Sequence, residues 1–213
     1  MRRRAYRGSG GAGLSIVGGA AILGGGALLW VYRDSLLNYA IQAGGLVGWY
    51  PDPSSRAAPY AQPIAAAASA TGVDPSIIAA LGDRETLWGL LTSPKGPGGT
   101  GDFGHGHGLM QIDDRTWASW LASNDWTDPY TNILKGAQIY AAGYAQLQAA
   151  GIDPSLLARA AACAYNAPIG NVLAAISAGN DPDSVTTGPA LGLPGNYGTD
   201  VMARAAKYAA GAA

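Results

Sequence analysis

The apolar positions are spaced in two different ways along the chain. Residues 13–32, Gly-Leu-Ser-Ile-Val-Gly-Gly-Ala-Ala-Ile-Leu-Gly-Gly-Gly-Ala-Leu-Leu-Trp-Val-Tyr, carry no charge. As a helix they would be roughly 30 Å long, the thickness of a bilayer's hydrocarbon core. They predict a transmembrane helix, with Trp30 and Tyr32 at one interface. Residues 35–50 are also uncharged but short for a second span; they extend the first helix or lie at the interface. Beyond them Pro51-Asp52-Pro53-Ser54-Ser55-Arg56 reads as a linker.

From Ala57 onward the pattern is that of a soluble helical domain. Pro63–Ala70 is an alanine-rich helix ended by Gly72. Asp74-Pro75-Ser76, Asp128-Pro129 and Asp153-Pro154-Ser155 each place a capping carboxylate before a proline at the first helical position. They open helices through Trp88, to Gly151 and to Tyr165. A short helix from Asp114 or Arg115 carries Trp117, Trp120 and Leu121, and Ile169–Ala178 and Asp200–Ala210 complete the set. The only β structure expected is a small hairpin within 98–112. The fold class is mainly α.

One position breaks the pattern. On the helix from Pro75, Ile78, Leu81 and Trp88 form one stripe, and Glu85 occupies it too. Asp83 and Arg84 fall off it. Glu85 is the only glutamate, against thirteen aspartates. Among apolar neighbours a carboxylate loses hydration and its pKa rises. A carboxylic acid protonated near neutral pH is the proton donor that glycosidic cleavage requires. The alternative is a solvated helix end, with Glu85 paired to Arg84 or Lys95.

Downstream, residues 98–114 read Gly-Gly-Thr-Gly-Asp-Phe-Gly-His-Gly-His-Gly-Leu-Met-Gln-Ile-Asp-Asp, a glycine-rich ribbon that suits the floor of a polar cleft. Asp102 and Asp113 are candidate second carboxylates. An inverting glycosidase holds its pair about 6.5–9.5 Å apart, a retaining one about 5–5.5 Å. Asp102, His105 and His107 admit a metal site on ligand type, but one short loop lacks the spacing of such sites; hydrogen-bonded loop residues or sugar contacts are the other reading. No metal or cofactor is expected. Trp117, Trp120 and Trp126 are read as core. The lone Cys163, in Ala-Ala-Cys-Ala-Tyr, excludes an intramolecular disulfide and reads as a small core residue.

Net charge is −1, but the signs are segregated. Arg2, Arg3, Arg4 and Arg7 precede the apolar run and Arg33 follows, which predicts the N-terminus inside and the rest outside the cytoplasmic membrane. From residue 51 on there are 8 basic and 13 acidic side chains, so a nucleic-acid partner is not expected. Two other readings of 13–32 stay open: a cleaved signal peptide, though no small-x-small cleavage site follows, and a glycine-rich segment buried in an assembly. Gly18, Gly19, Gly24, Gly25 and Gly26 permit close helix packing, hence self-association or contact with virion partners.

Taken in order, Glu85, the stretch Gly101–Asp113, Asn132-Ile133-Leu134-Lys135-Gly136, Ala164-Tyr165-Asn166-Ala167, Asn171-Val172, Thr186-Thr187-Gly188 and Tyr197-Gly198-Thr199-Asp200-Val201-Met202-Ala203-Arg204-Ala205 resemble goose-type lysozyme and its lytic transglycosylase relatives. The resemblance covers roughly residues 60–210. It implies a lysozyme-like helical fold and cleavage of the β-1,4 bond between N-acetylmuramic acid and N-acetylglucosamine in peptidoglycan. It makes Glu85 the general acid and Asp102 and Asp113 the aspartates that position the attacking water. It places Tyr165, Asn166 and Tyr197 along the cleft, with His107 and Gln111 as further substrate contacts. The transglycosylase relatives lack the aspartate pair and give 1,6-anhydro products, so both aspartates point to hydrolysis. The chain departs from the family at Thr86, where serine is usual, in lacking the cysteines of animal members, and in the Gly/Pro-rich stretch before Tyr197.

The expected organisation is a basic inner tail at 1–12, a transmembrane helix at 13–32, a juxtamembrane segment and linker at 33–56, and a lysozyme-like catalytic domain at 57–213. The expected function is a membrane-anchored, single-pass muramidase acting on glycan strands outside the membrane, as a bacterial wall enzyme or a phage virion component. The alternatives are a lytic transglycosylase and a non-catalytic glycan-binding or assembly protein.

Overall fold

The computed structural model describes residues 51–187 and 195–211. The basic tail, the expected membrane helix at 13–32 and residues 33–50 lie outside the described residues. Among the described residues no helix is long and apolar enough to cross a membrane.

Eight helices in the described residues surround one core. They are α1 (Pro53–Ala57), α2 (Ala61–Thr71), α3 (Pro75–Thr86), α4 (Asp114–Ser123), α5 (Pro129–Ala149), α6 (Pro154–Asn166), α7 (Ile169–Ser177) and α8 (Tyr197–Gly211). The Asp-Pro signals act as expected. Asp74, Asp128 and Asp153 accept backbone hydrogen bonds from Ser76, Thr131 and Ser155, each at 2.8 Å. Caps of this kind contribute about 1 kcal/mol each. Helix α5 is central: α2 and α6 pack on it, while α8 lies on α3 and α6. Its buried positions Ile133, Ala137, Tyr140 and Leu147 meet Ala160, Ala161, Ala162 and Cys163 of α6 in one apolar cluster. Alanine at these crossings lets the helices approach closely at interior packing density.

Between α3 and α4 the glycine-rich ribbon forms three short antiparallel strands rather than a single hairpin: β1 (Thr100–Gly101), β2 (Gly106–His107) and β3 (Ile112–Asp113), in the order β1-β2-β3. Thr100 pairs with His107, and Gly106 with Asp113.

Three expectations change. Residues 53–56, read as linker, form α1 together with Ala57, capped by Asp52. Helix α3 stops at Thr86, because Leu87 and Trp88 take left-handed φ values of 47° and 58°. Trp88 therefore leaves the stripe and folds back over Gly82, where a Cβ would meet its indole at 2.7 Å. There it stacks on Tyr60 at 5.0 Å. Finally, Asp83 and Arg84, off the apolar stripe, are buried. Asp83 accepts from Arg56 of α1 at 2.9 and 2.6 Å and pairs with Arg204 of α8 at 2.5 Å. Arg204 also bonds Asp200 at 2.9 Å, and Arg84 pairs with Asp200 at 3.1 Å. Buried charges persist where each has an opposite partner, and this chain of five joins α1, α3 and α8.

Candidate active site

Glu85 lies in the last turn of α3, half-buried. Its Oε1 accepts a hydrogen bond from the Tyr197 hydroxyl. No described residue donates to its Oε2, and that oxygen is not among the buried unsatisfied atoms. Burial raises the Glu85 pKa; the Tyr197 hydrogen bond and the Arg84 charge oppose it without reversing the direction. The Tyr197 and Tyr165 phenols are pushed well above their usual pKa, chiefly by burial and then by the Glu85 charge. Both remain neutral, so Tyr197 remains a donor.

Tyr197 is 2% exposed. Its hydroxyl is on Glu85, so the ring stands beside the acid and not on the wall of the groove that Gln111, Asp113, Tyr165 and Asn166 line. The side chain that puts it there is Asp183, in the 3-10 turn Pro182–Val185. Asp183 Oδ1 accepts from the Gly198 amide at 2.6 Å, and Oδ2 accepts from the Thr199 amide at 3.0 Å and the Thr199 hydroxyl at 2.6 Å. Arg159 bonds the same carboxylate at 3.1 Å. A carboxylate at the first amides of α8 satisfies donors the helix cannot, which starts α8 at Tyr197 instead of Asp200. Asp183 carried no expectation of this, although Asp181-Pro182 repeats the Asp-Pro signal. Cys163 donates to Asp183 at 3.4 Å, and burial raises its thiol to about 12. It is a packed core thiol.

The ribbon is clamped to the helices through residues 107–110. Thr86 donates its hydroxyl to the Leu109 carbonyl at 2.9 Å, from α3. Asn132 of α5 accepts from the Met110 amide at 2.9 Å and donates to the His107 carbonyl at 3.1 Å. Tyr165 of α6 donates to the Met110 carbonyl at 2.8 Å. Gly108 has φ +72, and a Cβ there would collide with the Asn132 amide. Thus the residue directly after Glu85 ties the acid's helix to the ribbon.

At the ribbon's outer edge Arg115 gathers both candidate aspartates. Its Nη2 lies 2.6 Å from Asp102 and 2.6 Å from Asp113, and its Nε contacts Asp113 at 3.0 Å. The Arg115 hydrogen bond holds the Asp113 carboxyl below its ordinary value. Asp102 and its neighbour Phe103 have left-handed φ values of 45° and 58°, which cost roughly 1–2 kcal/mol each for non-glycine residues. Phe103 is exposed.

The histidines turn to Asp114. His105 Nδ1 lies 2.8 Å from its carboxylate, while His107 Nε2 at 3.6 Å is beyond hydrogen-bond range. His107 packs edge-on against Trp126 at 4.8 Å. Among the described residues no group of three His, Cys, Asp or Glu side chains is placed to hold a metal. Gln111, at φ 49°, folds its amide onto the Gly108 carbonyl at 2.8 Å. The exposed Asn166 accepts from the Thr187 amide at 2.7 Å.

A groove of about 810 Å³ runs from the ribbon between α4, α5, α6 and the start of α7. Gln111, Asp113, Tyr165 and Asn166 lie on its wall, so four of the expected site residues share one concave surface. Glu85 and Tyr197 are not on that wall; Tyr165, whose phenol feels the Glu85 charge, is the link between them. Trp117 and Trp120 are half-buried and pack against the apolar core, Trp117 also lining the groove, whereas the half-buried Trp126 packs on His107 instead.

The protein-family model for lysozyme g matches residues 53–211. The chain belongs to the goose-type lysozyme family. The match begins at the first residue of α1 and ends at the last of α8, so the ion-pair chain that joins these two helices lies within the family domain. Family membership carries a lysozyme-like action on peptidoglycan at the level of the family. No curated protein matches the chain at a significant level.

Proposed function

We propose that this protein is a peptidoglycan muramidase in which Glu85 is the general acid. The observation that supports it most is Glu85 itself. It is a half-buried carboxyl with a raised pKa, braced on one oxygen by a neutral tyrosine and, among the described residues, without a donor on the other. A protonated Glu85 gives its proton to the glycosidic oxygen as the bond to the muramic acid C1 breaks. Asp102 and Asp113 hold a water, and one of them takes its proton as the oxygen attacks C1 from the opposite face, inverting the centre. Both products then carry a hydroxyl, one of them at a reducing end.

The runner-up is a lytic transglycosylase, in which the sugar's own 6-hydroxyl attacks. What supports hydrolysis over it is the presence of both aspartates, Asp113 on the groove wall and Asp102 joined to it through Arg115. Digestion of purified peptidoglycan by the full chain, read by mass spectrometry, separates the two: reducing muramic acid ends support the hydrolase and 1,6-anhydro ends overturn it. If Glu85→Gln releases fragments as fast as the parent, the protein is a glycan-binding or assembly protein instead.

We further propose residues 13–32 as the attachment to a membrane, with the family domain outside. The charge-free run flanked by arginines supports this. Removing residues 1–34 should release the protein from sedimenting membranes; retention equal to the full chain would end the proposal.

A further inference from the structure

Lys135 is the charged group of the groove that nothing else engages. It sits on α5, 8% exposed, on the groove wall. Its ammonium stands 3.3 Å from the ring centroid of Trp117 and 5.5 Å from that of Trp120. Among the described residues no carboxylate lies within ion-pair distance of it and no acceptor takes any of its protons. The only acid on the same wall, Asp113, is held by Arg115. The two indole faces hold the ammonium in place, and its Nζ, which is not among the buried unsatisfied atoms, keeps its N–H donors open to the groove. Burial lowers its pKa. Around it the wall is neutral and hydrogen-bonding, with Gln111, Thr116, Gln138 and Asn166, a lining suited to hydroxyl and acetamido groups.

We propose that Lys135 is an anion subsite of this groove, taking a carboxylate carried by the bound glycan strand. This rests on the muramidase reading of the neighbouring site. Peptidoglycan offers the carboxylate in two places on one sugar: the lactyl group of muramic acid where no peptide is attached, and the acidic residues and C-terminus of the stem peptide where one is. The indoles fix the ammonium's position in advance, so the carboxylate sets the register of the strand along the groove. A neutral polymer of N-acetylglucosamine carries no such group and gains nothing from Lys135.

The test is binding by titration calorimetry, using the full chain with Glu85→Gln so that strands stay intact. Four ligands are compared: peptide-free strands with free lactyl carboxylates, the same strands with those groups amidated, peptide-bearing strands, and chitin oligomers. Lys135→Met keeps the contact with the indoles and removes the charge; Lys135→Arg keeps the charge. Lys135→Met should weaken binding of the carboxylate ligand by about tenfold while changing chitin and amidated strands less than twofold, and Lys135→Arg should retain most of the affinity. Sensitivity in the peptide-free strands assigns the lactyl group; sensitivity confined to peptide-bearing strands assigns the peptide. A loss equal for all four ligands, or no loss, overturns the subsite. Should Lys135→Met fail to fold, the salt dependence of the Lys135-containing protein decides. Affinity falling with sodium chloride for carboxylate strands alone supports the subsite, and equal salt dependence for chitin overturns it. If the Lys135-containing protein binds none of the four, the glycan reading itself fails and the subsite with it.

Discussion

Tyr197 donates its hydroxyl to Glu85 across 112 residues of sequence, from the first residue of α8 to the last turn of α3. Arg84 lies over the same ring at 5.0 Å and pairs with Asp200, so the tyrosine is held from both sides. The hydrogen bond favours the Glu85 carboxylate and works against burial. Tyr197→Phe removes it. The Glu85 pKa then rises further, its protonated form persists to higher pH, and the alkaline limb of kcat/KM should move upward while kcat falls by up to about tenfold through lost orientation. A pH–rate profile on soluble glycan strands measures both. An unmoved limb would show that Tyr197 does not set the acid.

Replacing the acid has a consequence for stability as well as for turnover. Glu85→Gln should slow cleavage on the order of 10²–10⁴-fold. The folded-state pKa of Glu85 lies above its unfolded value of about 4.3. The folded protein therefore binds this proton more tightly, and the stability it brings is complete below about pH 4.3 and lost as pH rises through the folded pKa. Glutamine carries no such loss. Melting temperatures of Glu85→Gln and its parent should diverge in favour of the variant as pH rises above about 4.3. A gap that stays constant with pH would contradict the raised pKa.

Asp183 is the buried carboxylate on which the start of α8 depends. Asp183→Ala leaves two amides and a hydroxyl without their acceptor and leaves Arg159 with Asp181 as its remaining acidic partner. The cost should be about 3–5 kcal/mol, as for breaking a buried pair. At roughly 2–4 °C per kcal/mol in a domain of this size, melting should fall by about 10 °C. Activity should drop at temperatures where the variant is still folded, because Tyr197 loses its anchor. Unchanged melting would mean that α8 starts without Asp183.

Arg115 makes the opposite kind of contact, exposed and held by two aspartates. Arg115→Met should change stability little, because an exposed ion pair is screened by solvent. Its hydrogen bond keeps the Asp113 pKa low, so its removal should raise that pKa. If ionised Asp113 takes the proton from water, the acid limb of kcat/KM should shift to higher pH. A fixed acid limb would remove Asp113 from that role.

The helical class, the Asp-Pro helix starts and the anomalous glutamate could all be read from residue order, because each is a local signal: a cap, a fixed φ, an acid on an apolar stripe. The β hairpin was legible only as a glycine-rich ribbon, since two-residue strands carry no periodicity of their own. Trp88 was misplaced on the α3 stripe because two consecutive left-handed residues ended the helix, and no residue there signals that turn. Asp83 and Arg84 fell off the apolar stripe, and their burial was not legible because their partners, Arg56, Arg204 and Asp200, come from helices at either end of the family domain. The same holds for the site. Residue order placed Glu85 on an apolar helix stripe. Only the tertiary structure decided that Tyr197 braces it from behind, that Asp183 holds Tyr197 there, and that Lys135 stands in the groove without a counter-ion. The bonds among them join residues from 15 to 112 positions apart, and such pairings arise only when separate elements pack together.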